Sequence, residues 1–323
     1  MNGATHMDRR QFSKTLAAAT ASLAAVRAGP STGPGPLPTR RLGRTDLELP
    51  ILALGGSHVA RAGSERAARH LIDVALDEGV RFLDTAESYQ AGTSERWIGA
   101  AVRGRRDAVV LMTKTFAFPE RTADSARRHL EGSLERLQTD RLDVWQLHSI
   151  RSVEDVDRAF GPGGAMEYIL ETKEKRIVRY VGVTGHVDPR AHARALEYWD
   201  RGLHFDAMQL PINPIDYHQQ SFQRDVLPGL VERGIGVIAM KTSADGALLQ
   251  RQICSIQECL RYVWSLPVSV AVVGMERPDE VRQNARLARE FAPMTDHELD
   301  VLRARIKPRA LIELEWYKRG QRP

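Results

Sequence analysis

Four residues whose side chains can move a proton follow three consecutive apolar segments of the chain. Asp84 lies near the end of RFLDTA, Lys114 ends VVLMTK, His148 ends LDVWQLH, and Tyr89 follows Asp84 by five positions. A buried charge is costly unless it is paired, so we expect Asp84 and Lys114 to form an ion pair. The Lys114 ammonium is expected to lower the pKa of Tyr89 from its usual value of about 10. With His148 as a hydrogen-bond partner for a carbonyl oxygen, the group suits acid–base chemistry at a carbonyl.

Each of these residues also has a purely structural interpretation when it is taken alone. Asp84 can cap a helix, Lys114 can extend along the surface, and His148 can be a hydrogen-bonded core histidine. The chemical interpretation is favoured because three successive strand exits supply Asp, Lys and His, and the strand exits of a parallel barrel share one rim. Lysine is also rare, since it accounts for seven of the 46 basic residues, and Lys and Arg are not interchangeable at tight sites.

The elements that must position these residues are apolar runs that alternate with helix-period segments. Patterns such as SERAARHLIDVALDEG and TADSARRHLEGSLERL separate the runs, which predicts a parallel sheet covered by helices. Eight such units over roughly 240 residues predict an α/β fold of the (β/α)8 TIM barrel type. A doubly wound open sheet is the alternative, but the first run lacks the G-x-G-x-x-G turn of that fold. The predicted strands cover residues 51–56, 81–86, 109–114, 142–148, 179–185, 205–210, 236–240 and 269–274.

Both ends of the barrel domain, which is predicted to span residues 40–323, carry further elements. RRLGRTDLELP, before the first strand, indicates an N-terminal β-hairpin that can plug the barrel floor. A C-terminal helical tail begins at about residue 292, and its sequence leaves two placements open. It either lies over the barrel mouth, where it shapes the substrate pocket, or extends as a solvated terminus.

The N-terminal segment has the features of an export signal. DRRQFSK precedes the apolar run TLAAATASLAAV, and small residues up to Ala28 offer a cleavage site. The R-R-x-F-x-K order of residues 9–14 resembles the twin-arginine signal. Residues 1–28 therefore predict the twin-arginine export machinery as a partner and a periplasmic or other extracytoplasmic location. If the signal is not functional, we expect the protein to be cytoplasmic.

The residues around this signal and the overall composition exclude several other classes. The apolar run is too short for stable membrane insertion, which takes about 20 residues. The Pro- and Gly-rich residues 29–39 predict a linker. The net charge is +5, but no basic run carries interleaved aromatics, so nucleic-acid binding is not predicted. Cys254 and Cys259 lie five positions apart in a helical pattern, which suits neither a disulfide nor a metal site.

The segments FLDTAESYQAGTSERWIG, MTKT and DVWQLH together resemble the aldo-keto reductases, and the resemblance runs over about residues 40–290. It implies a catalytic tetrad of Asp84, Tyr89, Lys114 and His148. It also implies reversible hydride transfer between NADP(H) and a small aldehyde, ketone or alcohol. Tyr89 would be the general acid and base of that reaction.

The same resemblance implies a set of cofactor-binding residues at the strand exits. Thr184 supplies a hydroxyl where the family has a Ser–Asn pair, and Met240 replaces the aromatic that stacks on nicotinamide. Gly274 and Glu280 stand where NADP-using relatives have Lys and Arg, so NAD(H) is possible as well as NADP(H). The implied cofactor-binding residues are Gly56, Ser57, Thr184, Gln209, Met240, Lys241, Thr242, Gly274, Met275, Gln283 and Asn284.

Two other functions stay open from the sequence. A barrel lysine beside an acid can form a Schiff base, so Lys114 could serve an aldolase. The chain could also be a non-catalytic redox sensor that binds nicotinamide nucleotides. Borohydride trapping of Lys114 would favour the aldolase, and tight cofactor binding without turnover would favour the sensor.

Overall fold

The computed structural model describes residues 35–117 and 120–319. The predicted export signal, residues 1–28, lies outside these ranges, as does the first part of the predicted linker. The end of that linker packs on the barrel, because Leu37 is apolar and only 7% exposed. The carbonyl oxygen of Gly35 accepts a hydrogen bond from Arg289 Nε at 2.6 Å. Residues 35–39 are therefore part of the folded domain rather than a flexible connection.

The central element is a closed barrel of parallel strands, as predicted. The described ranges contain β1 (Thr39–Arg41), β2 (Glu48–Pro50), β3 (Leu52–Gly55), β4 (Phe82–Asp84), β5 (Val110–Thr115), β6 (Leu142–Leu147), β7 (Val178–Thr184), β8 (Ala207–Pro211), β9 (Gly236–Met240) and β10 (Val270–Val273). Strands β3 to β10 follow chain order around the barrel, and β10 pairs with β3 to close it. Strands β1 and β2 form the predicted antiparallel hairpin.

Helices cover the outside of the barrel. The described α-helices are α1 (Gly56–Val59), α2 (Glu65–Asp77), α3 (Thr93–Val102), α4 (Ala123–Leu137), α5 (Val153–Phe160), α6 (Ala165–Glu174), α7 (Pro189–Asp200), α8 (Phe222–Asp225), α9 (Leu227–Arg233), α10 (Ala247–Gln250), α11 (Ile256–Trp264), α12 (Pro278–Arg289) and α13 (Asp296–Ile306). Several begin at capping side chains, and Ser255 and Glu258 form a capping box at α11. In the part of the chain that the structure describes, no helix is long and apolar enough to cross a membrane.

The hairpin of β1 and β2 closes one end of the barrel, as predicted. Leu42 and Leu49 are fully buried and share one apolar cluster with Phe82 of the barrel interior. Gly43 allows the close approach, because it has φ +56° and a Cβ on it would lie 2.4 Å from the backbone nitrogen of Gly236. Gly236 is the first residue of β9, so the hairpin lies at the N-terminal ends of the strands.

The described part of the C-terminal tail packs against the barrel, so the tail up to residue 319 is not a solvated terminus. Leu299 and Leu302 of α13 are buried in the main core, and Leu314 is buried further along. His186 Nδ1, just after β7, lies 3.1 Å from the carbonyl oxygen of Tyr317. The end of the tail therefore lies at the rim where the strands end.

Candidate active site

The residues predicted at the strand exits meet around the ammonium group of Lys114. Its Nζ donates hydrogen bonds to Asp84 Oδ1 and, at 2.7 Å, to the carbonyl oxygen of Thr85. The same Nζ lies 3.3 Å from Tyr89 Oη. Lys114 is 1% exposed and Asp84 is 3% exposed, so the predicted ion pair lies out of water. The strand register explains why Lys114 and Asp84 lie together. Asp84 pairs with Met112 of β5, and Lys114 lies two residues further along on the same face of that strand.

Tyr89 and His148 lie next to each other beside this ion pair. Their rings are nearly perpendicular, with centroids 5.9 Å apart. The backbone nitrogen of His148 donates to the carbonyl oxygen of Thr115 at 2.8 Å, which fixes the exit of β6 beside that of β5. Among the described residues, Nδ1 of His148 has no hydrogen-bond partner. This ring nitrogen of His148 is therefore not bound to another described residue.

The pKa of Tyr89 moves in the direction opposite to the one expected from the sequence. Burial raises the pKa of Tyr89, and the charge of Lys114 opposes this without cancelling it. The expectation was wrong because it included the neighbouring ammonium but not the loss of water around the phenol. At neutral pH Tyr89 is therefore a neutral phenol that carries its proton.

Lys114 carries the positive charge of the site. Burial alone would lower the pKa of Lys114, but the carboxylate of Asp84 raises it above the usual value. Burial likewise raises the pKa of Asp84, and the charge of Lys114 acts in the opposite direction. Burial lowers the pKa of His148 well below its usual range, and the Lys114 charge adds to this effect. The site at neutral pH therefore combines an ammonium group with a neutral imidazole.

Glu95, to which the sequence analysis assigned no role, braces the strand that carries Lys114. Glu95 is fully buried in α3 and accepts a hydrogen bond from Thr113 Oγ1 at 2.5 Å. Its second oxygen lies 2.6 Å from Nε of Arg136. Because Thr113 precedes Lys114 in β5, this contact fixes the strand against the helix. Local pattern cannot reveal it, since Arg136 is 41 positions away from Glu95.

Arg121 supports the other side of the site and was also missed. It is fully buried, and its Nη1 donates to the carbonyl oxygens of Phe116 and His148, each at 2.8 Å. The guanidinium also forms a two-point ion pair with Asp155, with both contacts at 2.9 Å. Arg121 thus ties the loop after β5 to the loop after β6. Nothing in the sequence distinguishes it from the many other arginines.

A cavity of about 510 Å³ lies at the strand exits, with Asp84 and Tyr89 in its wall. Such a volume is within the range of small-molecule and cofactor sites. The predicted cofactor-binding residues that line this cavity are Ser57, Gln209, Met240, Lys241, Thr242, Gly274, Gln283 and Asn284. The cavity therefore joins Asp84 and Tyr89 to eight of the eleven predicted cofactor-binding residues.

The other three predicted cofactor-binding residues are buried and do not line this cavity. The carbonyl oxygen of Gly56 accepts a hydrogen bond from Ser94 Oγ at 2.9 Å. The carbonyl oxygen of Thr184 accepts one from the backbone nitrogen of Ile150 at 2.9 Å. Met275 is fully buried in the apolar core. Their contact with a cofactor stays a prediction.

Two amide side chains in the cavity wall have atoms that fit a nicotinamide dinucleotide. Gln209 Oε1 and Asn284 Oδ1 are buried, and neither has a hydrogen-bond partner within residues 35–117 and 120–319. A buried acceptor without a partner is costly, so each atom marks a place for a donor of a bound molecule. The carboxamide of nicotinamide and the amino group of adenine are such donors. Gln209 Nε2 also lies 3.4 Å from Asp84 Oδ2, which places this amide beside the catalytic residues.

The cavity wall at the start of α12 carries arginines that are already paired with carboxylates. Arg61 lies 3.8 Å from Glu276, and Arg277 lies 2.9 Å from Glu280. Glu280 Oε2 also accepts a hydrogen bond from the backbone nitrogen of Glu276 at 2.7 Å. Positive charge is present at this wall, but these carboxylates partly neutralise it.

The sequence and the fold resemble those of oxidoreductases, some of which have solved structures. The chain matches the Aldo/keto reductase family over residues 51–258. It is 32% identical over 229 residues to the uncharacterized oxidoreductase YrpG of Bacillus subtilis, which corresponds to 64% of this chain and 67% of that protein. The fold is similar to the holo form of aldo-keto reductase AKR11C1 from Bacillus halodurans, with a TM-score of 0.70, 24% identity and coverage of 83% and 96% of the two chains.

A second similar structure is an aldo-keto reductase from Klebsiella pneumoniae in complex with NADPH. Its TM-score is 0.66 and its identity 24%, over 84% of this chain and 95% of that chain. The closed barrel with its N-terminal hairpin is thus shared with these proteins. The family match covers well over half of the chain and contains all four residues that meet around Lys114. The chain therefore belongs to the aldo/keto reductase family of NAD(P)H-dependent oxidoreductases.

Proposed function

We propose that the protein transfers hydride reversibly between a nicotinamide dinucleotide and a small carbonyl compound or alcohol, with Tyr89 as general acid in reduction and general base in oxidation. The observation that carries the proposal is the position of Lys114 Nζ, which contacts both the Asp84 carboxylate and the Tyr89 hydroxyl beside a cavity. The bound dinucleotide supplies or accepts the hydride.

The residues of the chain handle the proton of this reaction. Neutral Tyr89 holds the proton that a carbonyl oxygen needs as it becomes a hydroxyl. The phenolate left behind is stabilised by Lys114, because charges interact strongly where water is excluded. Asp84 fixes the position of Lys114, and the neutral imidazole of His148 donates a hydrogen bond to the carbonyl oxygen.

The charge state of Lys114 argues against the aldolase alternative. A Schiff-base lysine attacks as a neutral amine, so its pKa must fall. Here the carboxylate of Asp84 raises the pKa of Lys114, which keeps it an ammonium. Treatment with borohydride and a carbonyl compound is therefore expected to leave Lys114 unmodified.

The direct test is a titration of the purified protein with NADPH and NADH, followed by a panel of aldehydes and ketones. We expect saturable binding and dinucleotide oxidation with at least one class of carbonyl. Binding without turnover across the panel would instead support the redox sensor. Absence of binding would contradict the proposal.

The choice of dinucleotide is proposed to be relaxed, so that both NADP(H) and NAD(H) bind. The resemblance favours NADP(H), and Arg61 and Arg277 bring positive charge to the wall at α12. Glu276 and Glu280 oppose a 2′-phosphate there, because like charges repel. We expect dissociation constants for NADPH and NADH within about tenfold of each other, and Glu276→Gln to tighten NADPH binding by about 0.5–1 kcal/mol. A Glu276→Gln variant with unchanged affinity for NADPH would contradict this charge argument.

We further propose that residues 1–28 direct export of the folded, dinucleotide-loaded protein through the twin-arginine machinery. The support is the order of residue types in that segment and its length. Replacement of Arg9 and Arg10 by Lys is expected to retain the protein in the cytoplasm, as measured by cell fractionation. Equal amounts outside the cytoplasm for variant and wild type would contradict the proposal. Protein purified from the exported fraction is expected to contain bound nucleotide.

A further inference from the structure

The last described part of the chain, residues 312–319, is anchored by a buried ionic cluster, and we call it the C-terminal segment. The side chain of Lys318 is fully buried, and its Nζ lies 2.8 Å from Asp216 Oδ1 and 2.6 Å from Glu315 Oε2. Tyr317 Oη donates a hydrogen bond to Glu315 Oε1 at 2.7 Å. Because Asp216 belongs to the loop after β8, the cluster fixes the segment at the rim of the barrel.

Trp316, in the middle of this anchored segment, contacts the wall of the cavity. Its Nε1 donates a hydrogen bond to Asp245 Oδ2 at 3.1 Å, while Asp245 Oδ1 accepts one from Lys241 Nζ at 2.6 Å. Lys241 Nζ lies 5.4 Å from the centroid of the Trp316 ring. Lys241 and Asp245 both line the cavity. One carboxylate therefore links the C-terminal segment to the loop of residues 241–246.

The loop of residues 241–246 has a backbone conformation that contacts with the rest of the protein must stabilise. Lys241, Ala244 and Asp245 have φ values of +54°, +52° and +58°, in the left-handed region that residues with a Cβ seldom occupy. Such conformations persist where surrounding contacts hold them. The hydrogen bond from Trp316 is a contact of this kind.

The topology places the loop across the path of a dinucleotide. Gln209 belongs to β8, and Asn284 belongs to α12, which follows β10. Strand β9 lies between β8 and β10 in the barrel, and the loop of residues 241–246 follows β9. A molecule that reaches both amides must therefore pass this loop.

We propose that the C-terminal segment fastens the loop of residues 241–246 over the bound nicotinamide dinucleotide, with Trp316 as a positioning residue that acts through Asp245. The inference rests on the proposed function, because the dinucleotide is the molecule that the loop covers. With one carboxylate oxygen of Asp245 held by the indole N–H, the Lys241 ammonium can turn to a phosphate without releasing the loop. The contact slows dissociation of the dinucleotide and lies away from the reacting atoms.

The test is a Trp316→Phe variant of the full-length chain, which removes the indole N–H and keeps an aromatic ring. We expect its rate of NADPH dissociation, measured by stopped-flow fluorescence, to rise about tenfold, because the lost hydrogen bond has a charged acceptor. The effect should appear as a higher KM for NADPH and not as a fall in kcat. The matched control is Trp199→Phe, because Trp199 Nε1 donates to the carbonyl oxygen of Phe205 at 3.0 Å and does not line the cavity. Its dissociation rate should equal that of the wild type.

A double-mutant cycle with Asp245→Ala tests whether Trp316 acts through Asp245. In the Asp245→Ala background, Trp316→Phe should change the dissociation rate by less than about twofold, because the indole N–H has lost its acceptor. Additive effects of the two substitutions, or a wild-type dissociation rate in Trp316→Phe alone, would overturn the inference and leave the proposed function intact. A wild-type protein that binds neither NADPH nor NADH would overturn both.

Discussion

Two buried lysines in this chain have similar neighbours and different roles. Lys114, at the end of β5, is paired with one carboxylate, that of Asp84. The tyrosine of this cluster, Tyr89, turns its hydroxyl to the ammonium at 3.3 Å and lines the cavity. One oxygen of the phenol can therefore face both a cation and a bound molecule.

The second cluster, around Lys318, contains the same residue types in another arrangement. Two buried carboxylates, those of Asp216 and Glu315, surround the ammonium. The tyrosine of this cluster, Tyr317, donates its hydroxyl proton to Glu315 instead of facing the lysine. Burial and the charge of Glu315 raise the pKa of Tyr317 well above its usual value. The hydroxyl proton of Tyr317 is bound to Glu315 and is not available to a substrate.

The comparison shows that Asp, Lys and Tyr in contact do not by themselves make an acid–base site. A tyrosine can give up its proton only where the phenolate meets a cation and the hydroxyl meets a substrate. Tyr89 lies beside the Lys114 ammonium and lines a cavity that can hold a substrate, whereas the Tyr317 hydroxyl is bound to a carboxylate. The first cluster is the candidate catalytic site, and the second is the anchor of the C-terminal segment.

The largest expected effect separates the two clusters by activity. Lys114→Met removes the cation that stabilises the phenolate, so we expect kcat to fall by about 10³-fold. Burial already raises the pKa of Asp84, and we expect this carboxyl to take up a proton in the variant, which limits the damage to the fold. The measurement is steady-state hydride transfer at saturating dinucleotide, with far-UV circular dichroism as a check of folding. A folded Lys114→Met variant with wild-type kcat would remove the distinction between the clusters.

The second-largest expected effect distinguishes the two clusters by their contribution to the free energy of unfolding. Lys318→Met leaves two buried carboxylates without a cation, so we expect the free energy of unfolding to fall by about 3–5 kcal/mol. Lys175 is the matched control, because it is 56% exposed and pairs with Glu171 on the surface of the protein. Lys175→Met should change the free energy of unfolding by less than about 0.5 kcal/mol. Equal losses in urea unfolding for the two variants would contradict the role of Lys318 as an anchor.

The smallest effect concerns pH and is specific to the second cluster. Burial raises the pKa of Asp216 from 3.8 to about 6, while the charge of Lys318 lowers it and that of Glu315 raises it. Between about pH 4 and pH 6 the folded protein then binds a proton that the unfolded chain has released. The contribution of this group to stability is therefore present at low pH and falls as the pH rises through that range.

Glu315→Gln tests this sign, because removal of the neighbouring negative charge should bring the pKa of Asp216 down. From pH 4 to pH 6 the variant should then lose about 1–2 kcal/mol less stability than the wild type. The measurement is urea unfolding at several pH values in that range, and the comparison between the two proteins cancels the titrating groups that they share. Parallel stability curves for variant and wild type would contradict the assigned role of Asp216.

The sequence predicted the first cluster because its members follow a local rule. Asp84, Lys114 and His148 each end a short apolar run, and parallel strands in a barrel end at one rim. The same runs predicted the barrel, and RRLGRTDLELP predicted the hairpin at its floor. The pKa of Tyr89 was not predictable in this way, because its direction depends on how completely the folded chain excludes water.

The second cluster followed no such rule. Asp216 and Lys318 are 102 positions apart, and no local sequence pattern links them. Trp316 and Asp245 are likewise separated by 71 positions. Contacts of this kind depend on how the tail folds back on the barrel, so only the structure could identify them.

Tyr89→Phe tests the central claim most directly, because it removes one oxygen atom from the candidate site. The measurement is single-turnover hydride transfer from prebound NADPH to an aldehyde that the wild type reduces, with Tyr198→Phe as control. Tyr198 packs against Phe160 and does not line the cavity, so its variant should react at the wild-type rate. We predict that Tyr89→Phe still binds NADPH and transfers hydride at least about 10³-fold more slowly. A Tyr89→Phe variant that transfers hydride at the wild-type rate would contradict the account.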